Sequence, residues 1–283
     1  MKKILKLSIF LLLLSVSAAY AQADCTETYG TGSQVMTLAT GSPGELGLVK
    51  ALSDAFNAQN NTAVCWKKAG SGDGLALLKD KKADLIMVHA PEGEKKAVAE
   101  GWAVKRTLIG SNEFYIVGPA EDPAGISKAT SAADAYTRIA GAKSLFLSRG
   151  DNSGTHMKEL AVWKKAGITP EGSWYVISKG FMMDTLRRAD SEKGYFMTDS
   201  STWIAAKKEM KNLKILYRGD QMLVNTYNAL CRPALDGPSQ PVAAKFIDFV
   251  ASEKGQNVIR AFGANLYGEP IYNDAAYAKK YDR

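Results

Sequence analysis

The chain has 283 residues, a formal net charge of +7, 46% hydrophobic residues and 23% charged ones. That composition is ordinary for a globular protein and excludes a disordered chain, a collagen-like fibre and a long coiled coil. The length suggests two domains, and the 25 Gly and 9 Pro are scattered, so no stretch reads as low complexity.

The first segment reads as a secretory signal peptide. Lys2, Lys3 and Lys6 form a positive start, a short apolar run covers 7–16, and Ala19-Tyr20-Ala21 and Ala21-Gln22-Ala23 each offer a cleavage site. The expected peptide is 1–21, alternatively 1–23. Its apolar run is too short to span a bilayer. Asp24 separates Ala23 from Cys25, which argues against a lipid-anchored cysteine. A soluble protein exported to the periplasm is expected. Losing the three lysines lowers the charge from +7 to +4, a mild surplus that calls for neither nucleic acid nor a membrane surface. Export permits a disulfide. Cys25, Cys65 and Cys231 allow three pairings. Cys25–Cys65 is favoured, because Cys65 lies in a strand expected to neighbour the N-terminal one.

Residues 34–39 are strand-like and end in the turn Thr40-Gly41-Ser42-Pro43-Gly44. A helix follows with Leu48, Leu52, Ala55 and Phe56 on one face. A strand over 62–68 ends in Gly70-Ser71-Gly72-Asp73-Gly74, a short helix carries Leu75, Leu77 and Leu78, and 84–88 is a buried strand. Alternating strands and helices predict a parallel sheet with helices on its faces. The pattern then recurs. Strands are expected at 114–117, 144–147, 174–177, 194–197, 213–217 and 223–229. Helices are expected at 131–142, 157–166, 182–189, 201–210, 241–251 and 255–262. Two α/β lobes follow from this, one from 22–112 with 227–283 and the other from 113–226.

Three loops share one form, in which a strand leads through a Gly/Ser/Thr-rich turn into a helix start. They are 40–44, 70–74 and Ser148-Arg149-Gly150-Asp151-Asn152-Ser153-Gly154-Thr155; Thr198-Asp199-Ser200-Ser201-Thr202 is similar. Helix N-termini carry unpaired N–H groups and a partial positive charge, so a small anion can bind there. Open α/β sheets bind ligands at this end of their strands. Arg149 adds a planar fork suited to oxoanions, unless Asp151 or another carboxylate takes it. Ser42-x-x-Glu45 also reads as a capping box, and Glu45 would repel an anion there. The glycines of 70–74 make neither a full dinucleotide fingerprint nor a P-loop.

Enzymatic signals are weak. There is no G-x-S-x-G elbow and no HxH or HExxH zinc pattern. His89 and His156 are the only histidines; a secreted hydrolase would have to use one of them as its base. Neither a metal nor a cofactor is expected.

Leu85-Ile86-Met87-Val88-His89-Ala90-Pro91, Asn112-Glu113-Phe114-Tyr115-Ile116-Val117-Gly118-Pro119 and Ser148-Arg149-Gly150-Asp151-Asn152-Ser153-Gly154-Thr155-His156 resemble the tungstate-binding proteins of ABC transporters. The likeness runs from about Met36 to Tyr272. It implies a two-lobed type II periplasmic binding protein, with mixed sheets, helices on both faces and the ligand in the interlobe cleft. It further implies capture of a small oxoanion, tungstate first, and delivery to a membrane permease. Molybdate, another anion or a small carboxylate are the alternative ligands, and a monomer is expected. The ligand-binding positions carried over are Thr40, Ser42, Ser71, Arg149, Ser153 and Thr155. Two loops depart from the family pattern. The first is shorter and has Gly41 where the family has Thr, and Thr198-Asp199-Ser200-Ser201-Thr202 lacks an Arg.

Overall fold

The computed structural model describes residues 24–282; the expected signal peptide lies outside them. Among the described residues eleven strands form one continuous sheet: β1 (Glu27–Tyr29), β2 (Gln34–Thr40), β3 (Thr62–Lys68), β4 (Leu85–Val88), β5 (Val104–Pro119), β6 (Phe146–Ser148), β7 (Tyr175–Ile177), β8 (Tyr195–Asp199), β9 (Leu213–Tyr217), β10 (Val224–Cys231) and β11 (Asn273–Asp274). The order is β1-β3-β2-β4-β10-β5-β8-β6-β7, with β9 and β11 also paired to β5. β2 runs parallel to β3 and β4, and β6 runs parallel to β7 and β8. The strands between these two parallel blocks, β10 and β5, are antiparallel to their neighbours.

β5 is the structural axis. Residues 104–113 pair with β10, ending at Val224↔Glu113. From Phe114 onward the same strand pairs with β8 and β9. Its first part was missed in sequence because Lys105-Arg106-Thr107-Leu108 shows no clean alternation, and its partner β10 lies more than a hundred residues away. The helix Pro91–Ala99 was missed too, although Pro91 stands in its first turn, where a missing N–H costs nothing. The helix expected over 201–210 is Ser200–Ala206 and stops earlier.

The core is divided accordingly. In the first lobe, Leu48, Val49, Leu52 and Phe56 line one face of the helix Leu48–Asn57 and bury it against the sheet and against the helix Gln240–Ala251. Phe56 meets Phe246 edge-on at 5.1 Å. The opposite face of that sheet is covered through Leu78, Ile86, Val88 and Leu230. The second lobe centres on Tyr136, Phe146 and Trp163, with Tyr136 and Trp163 rings 4.2 Å apart. A disulfide joins Cys25 to Cys65 with Cα atoms 5.3 Å apart, and Cys231 is a buried thiol.

Candidate functional site

The carboxyl ends of β2, β3, β4 and β6 converge on a cavity of about 20 Å³ between the two lobes. It is a small space, lined by residues of both lobes. The first lobe contributes 41–43 after β2, 69–71 after β3, and Met87 and His89 at the end of β4. The second contributes Arg149, Ser153 and Thr155 after β6, together with Phe181.

Arg149 is the buried cation of the lining, its side chain only 4% exposed. Nε and Nη2 of its guanidinium hold Asp151 Oδ2, the Nε contact at 3.0 Å. Nη1 takes no part in that pair. Burial opposes charge on the Asp151 carboxyl, but the Arg149 charge and the Ser153 N–H, 3.1 Å from Oδ1, outweigh it and hold its pKa below the ordinary value. The guanidinium also sits 5.2 Å from the centre of the Phe181 ring. A buried, permanently charged fork beside a small cavity is the arrangement an oxoanion needs.

Ser153 caps the thirteen-residue helix Gly154–Ala166, its Oγ accepting from His156 N–H at 3.3 Å. Thr155 lies buried in the first turn of that helix, where backbone N–H groups have no partner within the helix. Lys164 and Lys165 in the last turn, and Gly167 in the left-handed region beyond it, complete a well-terminated helix. Ser71 opens the helix Ser71–Lys79, and its Oγ accepts from His89 N–H at 3.1 Å.

The first loop differs from expectation at three residues. Thr40 lies outside the lining: its hydroxyl donates to the Met87 carbonyl at 2.7 Å, which ties β2 to β4. The capping box does not form. The N-cap of the short helix Ser42–Glu45 is Gly41, without a side-chain bond, so Ser42 is already inside the helix. Its hydroxyl donates instead across the lobes to Asp199 Oδ2 at 3.2 Å. Glu45 pairs with Lys68 at 2.8 Å, so its charge is largely neutralised. In the fourth loop Asp199 caps its own helix, accepting from Thr202 N–H at 2.8 Å and from Ser201 Oγ at 2.5 Å. That carboxylate fills the place an anion would take.

Five of the six expected positions, Ser42, Ser71, Arg149, Ser153 and Thr155, therefore line one cavity. His89, Phe181 and Tyr227 line it too, and the sequence did not single them out for this cavity. His89 could have been found, because it stands just past a buried strand at the same end as the other loops. Phe181 and Tyr227 carry no local signal. Burial drives the His89 imidazole down to a pKa of about 3, so it packs as a neutral ring. His156 is also lowered by burial, and its Nδ1 accepts from Asn152 N–H at 3.1 Å.

A family model described as a PBP superfamily domain matches residues 26–254. The tungstate-binding protein TupA of Peptoclostridium acidaminophilum is 31% identical over 288 residues, covering 98% of this chain and 99% of that one. The structure of the tungstate ABC transporter from Geobacter sulfurreducens is 36% identical with a TM-score of 0.74, covering 82% of this chain and all of that one. The structure of the tungstate-binding protein TupA from Desulfovibrio alaskensis G20 is 34% identical with a TM-score of 0.70, covering 86% of this chain and 99% of that one. Similarity of this depth along nearly the whole described chain places it in the PBP superfamily, as a member of the family of tungstate-binding proteins of ABC transporters.

Proposed function

We propose that this protein captures tungstate in the cavity between its lobes and hands it to the permease of an ABC transporter. The observation that carries the reading is the lining itself: a cavity of about 20 Å³ with one buried guanidinium, the hydroxyls of Ser71, Ser153 and Thr155, and a capped helix start. Those donors suit a small anion with oxygens in every direction, and the names of the relatives favour tungstate among such anions. The same reading places the protein in the periplasm as a non-catalytic, monomeric receptor. Its lobes would be 22–112 with 227–283, and 113–226. Closure would bend β5 near Glu113 and the chain near Val224, where the strands pass from one lobe to the other; hinges of this kind serve other periplasmic binding proteins.

Calorimetric titration with tungstate, molybdate, sulfate and phosphate tests the proposal. Tungstate should bind tightly, molybdate less so, and the radius of gyration should fall with bound anion. Saturating tungstate with no heat and no rise in melting temperature would overturn the assignment. Preference for sulfate or phosphate would move the protein to another oxoanion.

A further inference from the structure

The His89 ring divides two spaces. On one side is the anion cavity; on the other is a groove of about 690 Å³, lined by the second-lobe helix Gly154–Ala166 and by the start of β10. His89 belongs to the first lobe, at the end of β4, yet its ring edge abuts Gly154, the first residue of the anion-site helix in the second lobe. A methyl group at Gly154 would fall onto the imidazole, against Cε1 and Nδ1 and 2.7 Å from Nε2. Backbone freedom does not explain this glycine. Gly154 is helical and is absent from the positive-φ residues.

Aromatic rings pack around it, Tyr227 at 4.9 Å and Phe114 at 6.1 Å between centroids, and the backbone N–H of His89 donates to Ser71 Oγ. The same seam is close at two more glycines. A Cβ on Gly72 would lie 2.7 Å from the Asn152 carbonyl oxygen, and one on Gly70 would lie 3.2 Å from Ser153 Cβ. The Gly70–Gly74 run, which matches no nucleotide motif in full, is thus one side of an interlobe contact.

We propose that His89 and Gly154 form the stop against which the two lobes close, a contact that sets how completely the anion cavity is sealed from the groove. Both are positioning residues: they act on the anion by fixing the distance between the hydroxyls of the first lobe and Arg149 of the second. This rests on the oxoanion-receptor reading, and one arm of the test does not depend on it.

The first arm uses tungstate and calorimetry. Gly154→Ala should weaken binding by about tenfold or more, the effect expected when a close-packed contact is overfilled. It should also abolish the anion-induced fall in radius of gyration. The melting temperature without anion should not fall, because alanine suits a helix at least as well as glycine. Gly154→Ala combined with His89→Ala should recover compaction, since the second change reopens the space. Gly141→Ala, where an added Cβ meets nothing within 4 Å, is the control and should behave as wild type.

The second arm needs no ligand. In a chain carrying Gly70→Cys and Ser153→Cys, oxidation should join the two lobes through a new disulfide; Cys231 is buried and Cys25 is bonded to Cys65. Adding Gly154→Ala should slow that cross-link and adding His89→Ala should restore it. Equal cross-linking with and without Gly154→Ala, or no cross-link at all, overturns the proposed stop. Normal cross-linking behaviour with no response of the wild-type chain to tungstate would overturn the assigned ligand and leave the stop standing.

Discussion

The loops after β2 and after β6 occupy equivalent places at the carboxyl ends of parallel strands, and both looked like anion sites in sequence. They are built very differently. After β6 comes a thirteen-residue helix with a side-chain cap and a buried arginine at its start. After β2 comes a four-residue helix without a side-chain cap, with Pro43 in its first turn. Its Thr40 hydroxyl serves Met87 and its Ser42 hydroxyl serves Asp199. Hydroxyl-rich composition is therefore not enough; what counts is which donors the fold leaves uncommitted. By that measure the second lobe supplies the charge and the helix field, and the first lobe supplies the wall that faces them.

The sharpest way to break this contrast is to remove the charge. Arg149→Ala should cost about 1.5–3 kcal/mol of tungstate affinity, the range for hydrogen bonds to charged groups, which is about ten- to a hundredfold. Arg149→Lys should also lose affinity, since an ammonium cannot hold Asp151 through Nε and Nη2 and still present a fork to the anion. Unchanged affinity in either variant would show that the site's electrostatics lie elsewhere.

Ser153→Ala is next in size. Losing the cap should cost about 1 kcal/mol of stability, read in urea unfolding, with tungstate affinity falling by less than in Arg149→Ala. Ser42→Ala should cost less, because its bond to Asp199, 3.2 Å long, is one of several that this carboxylate accepts. Asp199 keeps its bonds from Ser201 and Thr202 in that variant. If Ser42→Ala weakened tungstate as much as Ser153→Ala, the two loops would be equal partners after all.

The smallest effect belongs to Glu45. As a bare charge at a helix start it would disfavour an anion, and Glu45→Gln would tighten binding by up to about 1 kcal/mol. With Lys68 at 2.8 Å the pair is nearly neutral from outside. Glu45→Gln alone should then change affinity little, whereas Lys68→Gln should weaken it by exposing the carboxylate. Calorimetry on the two single variants and the double variant decides between these accounts.

Much of this was legible in the chain. The alternation of apolar strands with helices announced two α/β lobes, because burial on both faces of a parallel sheet imposes apolar runs such as Leu85-Ile86-Met87-Val88. The loop at 148–155 could be read because its parts are local: the cap Ser153, the helix it starts and the arginine beside it all lie within a few residues. The pairing of Cys25 with Cys65 followed from the neighbourhood of two strands. What only the tertiary structure decided involves partners distant in sequence. Lys68 neutralises Glu45, Asp199 takes the Ser42 hydroxyl, Phe181 covers Arg149, and the His89 ring packs against Gly154. A hydroxyl, a carboxylate or a glycine carries no mark of the group it will meet. Each can serve several partners, and the choice is made by the elements that the fold brings together.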